Sequence, residues 1–320
     1  MKTLLLFIRN CTRPWILLML LSTTSIAGNV SISAYVPEQS ENIPTAAREM
    51  LLNKMNQLIT QNGISNGPLG SRFIITPNVM VMTKDILPGP PPMTAMNLTI
   101  TFYIGDGIDG RKFASKAIDV KGVGTNETKA YIDCFKNIRA EDQRLVGFLE
   151  DAKAKIIEYY NTNCDVIIKN ALAASSQGNH EEAIAQLTTI PEACSACYDK
   201  SMKAAEPIYK KYIDQQCNKK LQEARGYWNA NQNGTGAGQA GAVLSEIEPT
   251  ASCYPEATAL HKEISARMVQ LGDKTFEYKM KELEVAGEVA KAKVTAYASI
   301  VSAYYLSKTN IIVYRTAGWW

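Results

Sequence analysis

Histidine is nearly missing from this 320-residue sequence: His180 and His261 are the whole supply. Neither stands near a G-x-S-x-G nucleophile elbow, so the usual serine-hydrolase constellation has no counterpart here. Cys194-Ser195-Ala196-Cys197 forms a C-x-x-C. No second C-x-x-C and no H-x₃₋₅-H pair accompanies it, and a zinc site needs two further ligands at such spacing. Acidic residues are spread over helical segments, and no two stand apart as a general acid/base pair. The sequence therefore singles out no catalytic residue, no metal and no cofactor, and it reads as a non-enzyme. Long apolar runs are also missing. The longest block beyond the N-terminus, Val294 to Leu306, is interrupted by Thr295, Ser299 and Ser302. It falls well short of the ~20 residues that span a bilayer.

No acidic residue precedes Glu38, whereas Lys2, Arg9 and Arg13 are basic. An apolar block, Trp15 to Leu21, follows, and then Ser25-Ile26-Ala27. This is the order of a cleavable export signal, with small residues where the peptidase cuts. Residues 1–27 are expected to be removed, leaving a mature start near Gly28. No Cys stands immediately after that point, which argues against a lipid anchor. Removing the leader's three basic residues from the chain's 34 leaves 31, equal to the 31 acidic residues. A mature chain of zero net charge lacks the positive footprint of a nucleic-acid binder. The expected location is periplasmic or extracellular.

The remaining roughly 290 residues suggest two domains or one elongated one. At 46% hydrophobic and 20% charged residues, the chain can bury a core. Ser31 to Val36 alternates like a strand. Pro44 to Thr60 reads as a helix, with Met50, Leu51, Met55, Leu58 and Ile59 on one face. Phe73 to Met82, Asn97 to Ile104 and Lys112 to Val120 read as strands, and Pro77 points to an edge or a bulge. Leu87 to Pro92 is a stiff connector, and Gly105 to Gly110 joins two strands. Thr125 to Arg139 completes a β-α-β-β-β-α order. From there the pattern is helical: Leu145 to Tyr160, Cys164 to Ser176, His180 to Ile190, and Tyr198 to Asn229 with a bend at Pro207. Residues 232–241 are Gly-rich and read as a loop, followed by a short helix from Ala242 to Ile247. Tyr254 to Ser307 reads as helix with a break at Gly272-Asp273, and Ile311 to Tyr314 as a terminal strand.

The helical half repeats. One unit runs from Cys164 through Gly178-Asn179 and Ala183-Ile184-Ala185-Gln186-Leu187 to Pro191 and Cys197-Tyr198. The other runs from Cys217 through Gly234 and Ala242-Val243-Leu244 to Pro249 and Cys253-Tyr254. The offset is roughly 55 residues, longer than most helical repeats. Gln177-Gly178-Asn179-His180-Glu181-Glu182-Ala183-Ile184 resembles the turn and second-helix start of a tetratricopeptide (TPR) repeat. In that family Gly permits the turn and Ala lets the helices approach. The resemblance spans about residues 164–270 and implies protein-binding helical hairpins. It departs at Pro191, which shortens the second helix. It also implies a packing role for His180, at a position often aromatic in such repeats. Val120-Lys121-Gly122-Val123-Gly124-Thr125 resembles the strand-turn-helix of FlgT-like envelope domains. Arg72-Phe73-Ile74-Ile75 is similar to the start of TolB/CsgG-type domains. No functional residue carries over from either.

Beyond the leader the chain keeps six cysteines: Cys134, Cys164, Cys194, Cys197, Cys217 and Cys253. An even count in an exported protein favours disulfides. In an antiparallel helix pair the first helix begins near the end of the second. That sets Cys217 near Cys253, and Cys164 near Cys197 or Cys194. The disulfide candidates are thus Cys164, Cys194, Cys197, Cys217 and Cys253. Each bridge would close about 30–40 residues and contribute roughly 3–4 kcal/mol in the chain-entropy model. Cys134 lies on an apolar helix face and reads as a buried free thiol. The C-x-x-C also admits a redox or metal reading, although the thioredoxin-like βαβ setting is absent.

Two segments, Gly105 to Gly110 and Gly236 to Gly241, match G-x-G-x-x-G. A dinucleotide site must follow a strand and open a helix. The first continues into a strand and reads as a hairpin turn; the second follows a helix and reads as an inter-helix loop. His261, beside Lys262 and Glu263, reads as solvated. The C-terminal stretch, with Tyr297, Tyr304, Tyr305, Trp319 and Trp320, suggests a packed helix or an oligomer or membrane-surface contact with the tryptophans as interfacial anchors.

The expected fold class is α+β: a small N-terminal α/β sandwich-like domain followed by an all-α domain of TPR-like helical hairpins. The expected divisions are a signal over 1–27, an α+β domain over 28–140, a helical-repeat domain over 141–275, and a C-terminal helix and strand over 276–320. The expected function is an exported non-catalytic scaffold that binds a protein partner or itself. The alternatives are a structural subunit of an envelope assembly or secretion complex, and a thiol redox or metal-binding protein centred on the C-x-x-C.

Overall fold

A computed structural model describes residues 30–37, 43–64, 71–272, 280–281, 289–309, 314–316 and 318–319. The leader and its cleavage point, most of the expected terminal strand, and Trp320 lie outside the described residues. The chain forms a curled four-stranded sheet with helices on one face, followed by a large all-helical region, as the α+β reading expects.

The first half follows β1 (Ile32–Ala34), α1 (Thr45–Gln61), β2 (Phe73–Leu87), β3 (Met93–Asp106), β4 (Arg111–Gly124) and α2 (Glu127–Lys136). The sheet order is β1-β2-β3-β4, with β1 parallel to β2 and the other pairs antiparallel. Helix α1 buries Ala47, Leu51, Met55, Leu58 and Ile59, the single face its helical period dictates. Strand β4 buries every second residue from Ile118 to Gly124. Two of those are glycines for a steric reason. A Cβ on Gly122 would sit 2.4 Å from the Cys134 nitrogen, and one on Gly124 2.3 Å from the Ala130 nitrogen. Helix α2 therefore lies directly on the strand backbone. Asn126 caps it by accepting from Lys129 N–H at 2.9 Å. Asp133 accepts from Val123 N–H at 3.0 Å, and the Asn137 amide donates to the Lys121 carbonyl at 2.8 Å.

The second half holds α3 (Gln143–Ser176), α4 (His180–Leu187), α5 (Ser195–Ala230), α6 (Gly234–Leu244), α7 (Tyr254–Gln270) and α8 (Val289–Thr309). Two expectations change. The helices read over Leu145 to Tyr160 and Cys164 to Ser176 are one helix of 34 residues. Asn161-Thr162-Asn163 contains no breaker, the buried positions Ile156, Tyr160, Cys164 and Ala171 stay on one stripe, and the Asn163 amide bonds its own helix at the Tyr159 carbonyl. Its first half packs in the same core as the sheet, through Leu145, Phe148, Leu149, Ala152 and Ile156.

The Gly-rich stretch 232–241 is a helix, not a loop. The Asn233 side chain accepts from the N–H groups of Thr235 and Gly236 and so starts α6. Gly236, Ala237, Ala240 and Gly241 then form a buried small-residue face against α5, where a Cβ on Gly236 would lie 1.8 Å from the Asn231 carbonyl oxygen. Contact overrides the weak helix propensity of glycine. Gly178, at φ +84°, makes the turn between α3 and α4.

Helix α8 returns across α4 and α5. Its Tyr297 and Ile300 are buried with Ile184, Leu187 and Ile208. The Tyr297 ring meets Tyr209 edge-on, with centroids 5.3 Å apart.

Candidate functional site

Among the described residues the sheet has two long edges: that of β4, partly capped by Asp133 and Asn137 at Val123 and Lys121, and that of β2. Strand β1 covers β2 only at Phe73, Ile74 and Ile75. From Pro77 to Leu87 no described strand lies on that side, which explains how Pro77 is accommodated without a lost ladder bond. Strand β2 runs on along β3 with every residue from Met80 to Leu87 exposed, while β3 beside it stays in the core at Met96 and Leu98. Met80 and Met82 are each 58% exposed and Ile86 75%. A bulge between Val81 and Thr83 twists the strand. Lys84 is held by Glu127 at the start of α2, Nζ to Oε2 2.6 Å. An edge of unpaired backbone groups flanked by apolar side chains is a template for another strand.

At the other end of the sheet the Gly105–Gly110 loop closes a clasp, as a turn and not a phosphate cradle. Asp106 is buried, and its carboxylate accepts from the Ile108 and Asp109 N–H groups at 3.0 Å each. It also accepts from Arg72 Nε at 2.6 Å. Asp109 binds the same guanidinium, and Arg72 NH1 donates to the Tyr305 hydroxyl at 3.3 Å. Burial works to lower the Arg72 pKa, but Tyr160, Asp106, Asp109 and Tyr305 around it outweigh that and raise it. Burial raises the Asp106 carboxyl pKa against the pull of Arg72. A cavity of about 230 Å³ opens beside this node, lined by Tyr159, Tyr160, Asn170, Gln186, Thr189 and Tyr305 among others. Two carboxylates from the sheet's loop and the Tyr305 hydroxyl of α8 hold one guanidinium, so the node is a lock between sheet and helices. Sequence reading did not foresee it. The two aspartates stand in an evident turn, but their partner lies more than 30 residues upstream.

The C-terminal segment completes the clasp. Trp319 is buried against Gly105, where a Cβ would lie 2.4 Å from the indole. Its Nε1 donates to the Gly110 carbonyl at 2.8 Å, and Lys112 Nζ donates to the Trp319 carbonyl at 2.9 Å. Tyr314 packs on Gly107 and meets Tyr35 edge-on. Trp319, expected as an interfacial anchor, is thus spent inside the fold. No described helix is long and apolar enough to cross a membrane.

The candidate cysteines separate into pairs and a remainder. Cys164 is bridged to Cys197 and Cys217 to Cys253, across 33 and 36 residues. The first bridge ties α3 to the start of α5, and the second ties α5 to the start of α7. Cys194, also expected in a bridge, is a buried free thiol, as is Cys134. The C-x-x-C is therefore split between a disulfide and a thiol. Burial raises both thiol pKa values, that of Cys134 to about 11. Each sulfur lies 3.7 Å from a backbone carbonyl, Cys194 at Ile157 and Cys134 at Met96. Among the described residues no three His, Cys, Asp or Glu side chains are placed to hold a metal.

His180 Nδ1 lies 3.0 Å from Ser175 Oγ. The pair resembles half of a nucleophilic dyad, but Ser175 is buried in the last turn of α3, so the contact braces the α3–α4 turn. Burial, then Lys211, lowers the His180 pKa. His261, expected in solvent, is partly buried on α7.

No family model matches the chain, and no curated protein matches it. Two solved structures show similarity over the same limited share. One is a minor lipoprotein from Acinetobacter baumannii, 15% identical, covering 39% of this chain and 88% of that one, with a TM-score of 0.22. The other is a putative lipoprotein from Caulobacter crescentus CB15, 11% identical, covering 38% and 88%, with a TM-score of 0.24. At these values neither likeness carries a functional argument.

Proposed function

We propose that this chain is an exported, non-catalytic interaction protein of the cell envelope that takes up an extended strand of a protein partner along the open edge of β2. The reading rests on one observation, the exposed apolar edge from Met80 to Leu87. The stretch from Asn78 to Leu87 is roughly 33 Å long at about 3.3 Å per residue. That exceeds a typical strand of about 5–6 residues, so a partner segment can pair along it fully. Backbone pairing would supply affinity, and Met80, Met82 and Ile86 the side-chain selectivity. The leader over 1–27 and the two bridges support an oxidising destination. The bridged, TPR-like hairpins serve as the scaffold that holds the sheet, with domains divided near residues 140 and 275.

A photo-cross-linking residue at Ile86, introduced in cells, tests this. One defined adduct is expected, and Met80→Lys is expected to abolish it without changing the melting temperature, since the side chain is already exposed. Light scattering of the purified chain distinguishes a second copy from a different protein. No adduct, or an adduct indifferent to Met80→Lys, refutes the reading.

A further inference from the structure

Three cysteines line one groove of about 340 Å³ at the start of α5: Cys164, Cys194 and Cys197, with Asn161 and Lys200 beside them. Cys194 is the N-cap of α5 and Cys197 its third helical residue. An N-cap side chain characteristically rotates to reach that third residue, as in a capping box. In this structure the Cys194 sulfur instead faces the Ile157 carbonyl. Ile157 and Cys164 are seven residues apart on α3 and so share one helix face. The free thiol, the bridge and the helix start therefore meet at one place.

The second unit supplies a comparison within the same molecule. Its bridge, Cys217–Cys253, occupies the equivalent position, but Thr250 stands where the first unit has Cys194. A third sulfur is thus not needed to build the repeat.

We propose that Cys194 is an internal exchange thiol that moves the first unit's disulfide from Cys164–Cys197 to Cys194–Cys197. The Cys194 thiolate attacks the Cys197 sulfur. The Cys194–Cys197 bond forms as the Cys197–Cys164 bond breaks, and Cys164 leaves as a thiolate that takes up the proton Cys194 gave up. One disulfide and one thiol stand on each side of the step, so no oxidant or reductant is consumed. The N-terminus of α5 favours thiolate in the groove, whereas the Lys200 ammonium at its rim is paired with Asp165 at 3.5 Å. Burial of Cys194 holds the resting form protonated, so the exchange is slow in the closed groove. The product removes the covalent cross-link between α3 and α5 and closes a bridge within the first turn of α5. The proposal stands on the groove alone and is independent of the partner reading.

The test uses the full exported chain, purified without reductant and held without oxygen or added thiol at mildly alkaline pH. Samples are quenched in acid and denaturant, alkylated with N-ethylmaleimide, and mapped as non-reduced peptides. The expected result is alkylation of Cys164 that grows with time together with a Cys194–Cys197 bridge, while Cys217–Cys253 stays intact. Cys194→Ser is expected to lose the Cys164 label completely. Alkylation confined at all times to the two resting thiols, Cys134 and Cys194, overturns the proposal, and so does a Cys164–Cys194 bridge that releases Cys197. Cys164→Ser gives a second readout: treated with oxidised glutathione, it is expected to form Cys194–Cys197. Recovery of both as glutathione adducts or free thiols also overturns the proposal.

Discussion

Replacing Trp319 with alanine separates a structural clasp from a membrane anchor. The indole is buried on Gly105 and hydrogen-bonded to Gly110. Covering about 200 Å² of indole at about 25 cal/mol per Å² contributes roughly 5 kcal/mol. The hydrogen bond adds about 1 kcal/mol. Part of this is offset by the order imposed on the segment, and buried Trp→Ala changes centre on about 3–5 kcal/mol. The expected loss in urea unfolding is therefore about 3 kcal/mol. A local readout accompanies it. The Arg315 amide, bonded to the Gly107 carbonyl at 2.6 Å, should lose its hydrogen-exchange protection. Trp319→Phe keeps most of the apolar area and should cost only about 1 kcal/mol. An unchanged urea midpoint with unchanged Arg315 protection in Trp319→Ala would refute the clasp. Lost vesicle binding at full stability would restore the anchor reading.

Gly236→Ala should destabilise by about 1–3 kcal/mol, the range for overpacking, because its Cβ meets the Asn231 carbonyl. Gly238→Ala, with nothing within 4 Å, should be neutral or stabilising in the same thermal melt. Asp142 caps α3, and hydrogen bonds from Arg144 hold its carboxyl down to about 2, from an ordinary 3.8. A depressed folded pKa contributes stability that is present above the ordinary value and lost as pH falls through about 2. Asp142→Ala should cost about 1 kcal/mol near neutrality and flatten the acid limb of a stability–pH curve. Cys134 has the opposite sign. Its thiol is raised from 9.0 to about 11, so its contribution is complete below 9 and lost as pH rises through about 11. That alkaline loss should vanish in Cys134→Ala, as measured by denaturant titration at several pH values.

What could be read from the sequence follows the physics of period and contact. Helix α1 and strands β3 and β4 carry clean periodicities, so their existence was legible, although β2 extends past its apolar core as an exposed edge. The matching cysteines of the repeat placed Cys164 near Cys197 or Cys194, and Cys217 near Cys253. Spacing alone could not choose between Cys194 and Cys197, which differ by less than one helical turn. Helix α6 was illegible because glycine is a poor helix former, and only the surface of α5 makes small residues favourable there. The join between Asn161 and Asn163 looked like a break because polar residues interrupt the apolar stripe without ending the helix. The Arg72 node and the burial of Trp319 depend on pairings across 34 and 209 residues, which no local pattern encodes.

Helix α5 belongs to both repeat units, and each bridge reaches it at a different point. Cys197 and Cys217 lie 20 residues apart on it, about 30 Å along its axis. A pull applied to the sheet therefore has a wholly covalent route: down α3 to Cys164, across to α5, along α5 to Cys217, and across to α7. Helices α4 and α6 are bypassed and carry no tension. They are free to yield under load while the strut keeps its length. Transfer of the first bridge to Cys194 would cut the route at its first crossing, and tension between α3 and α5 would then pass through the main chain of α4.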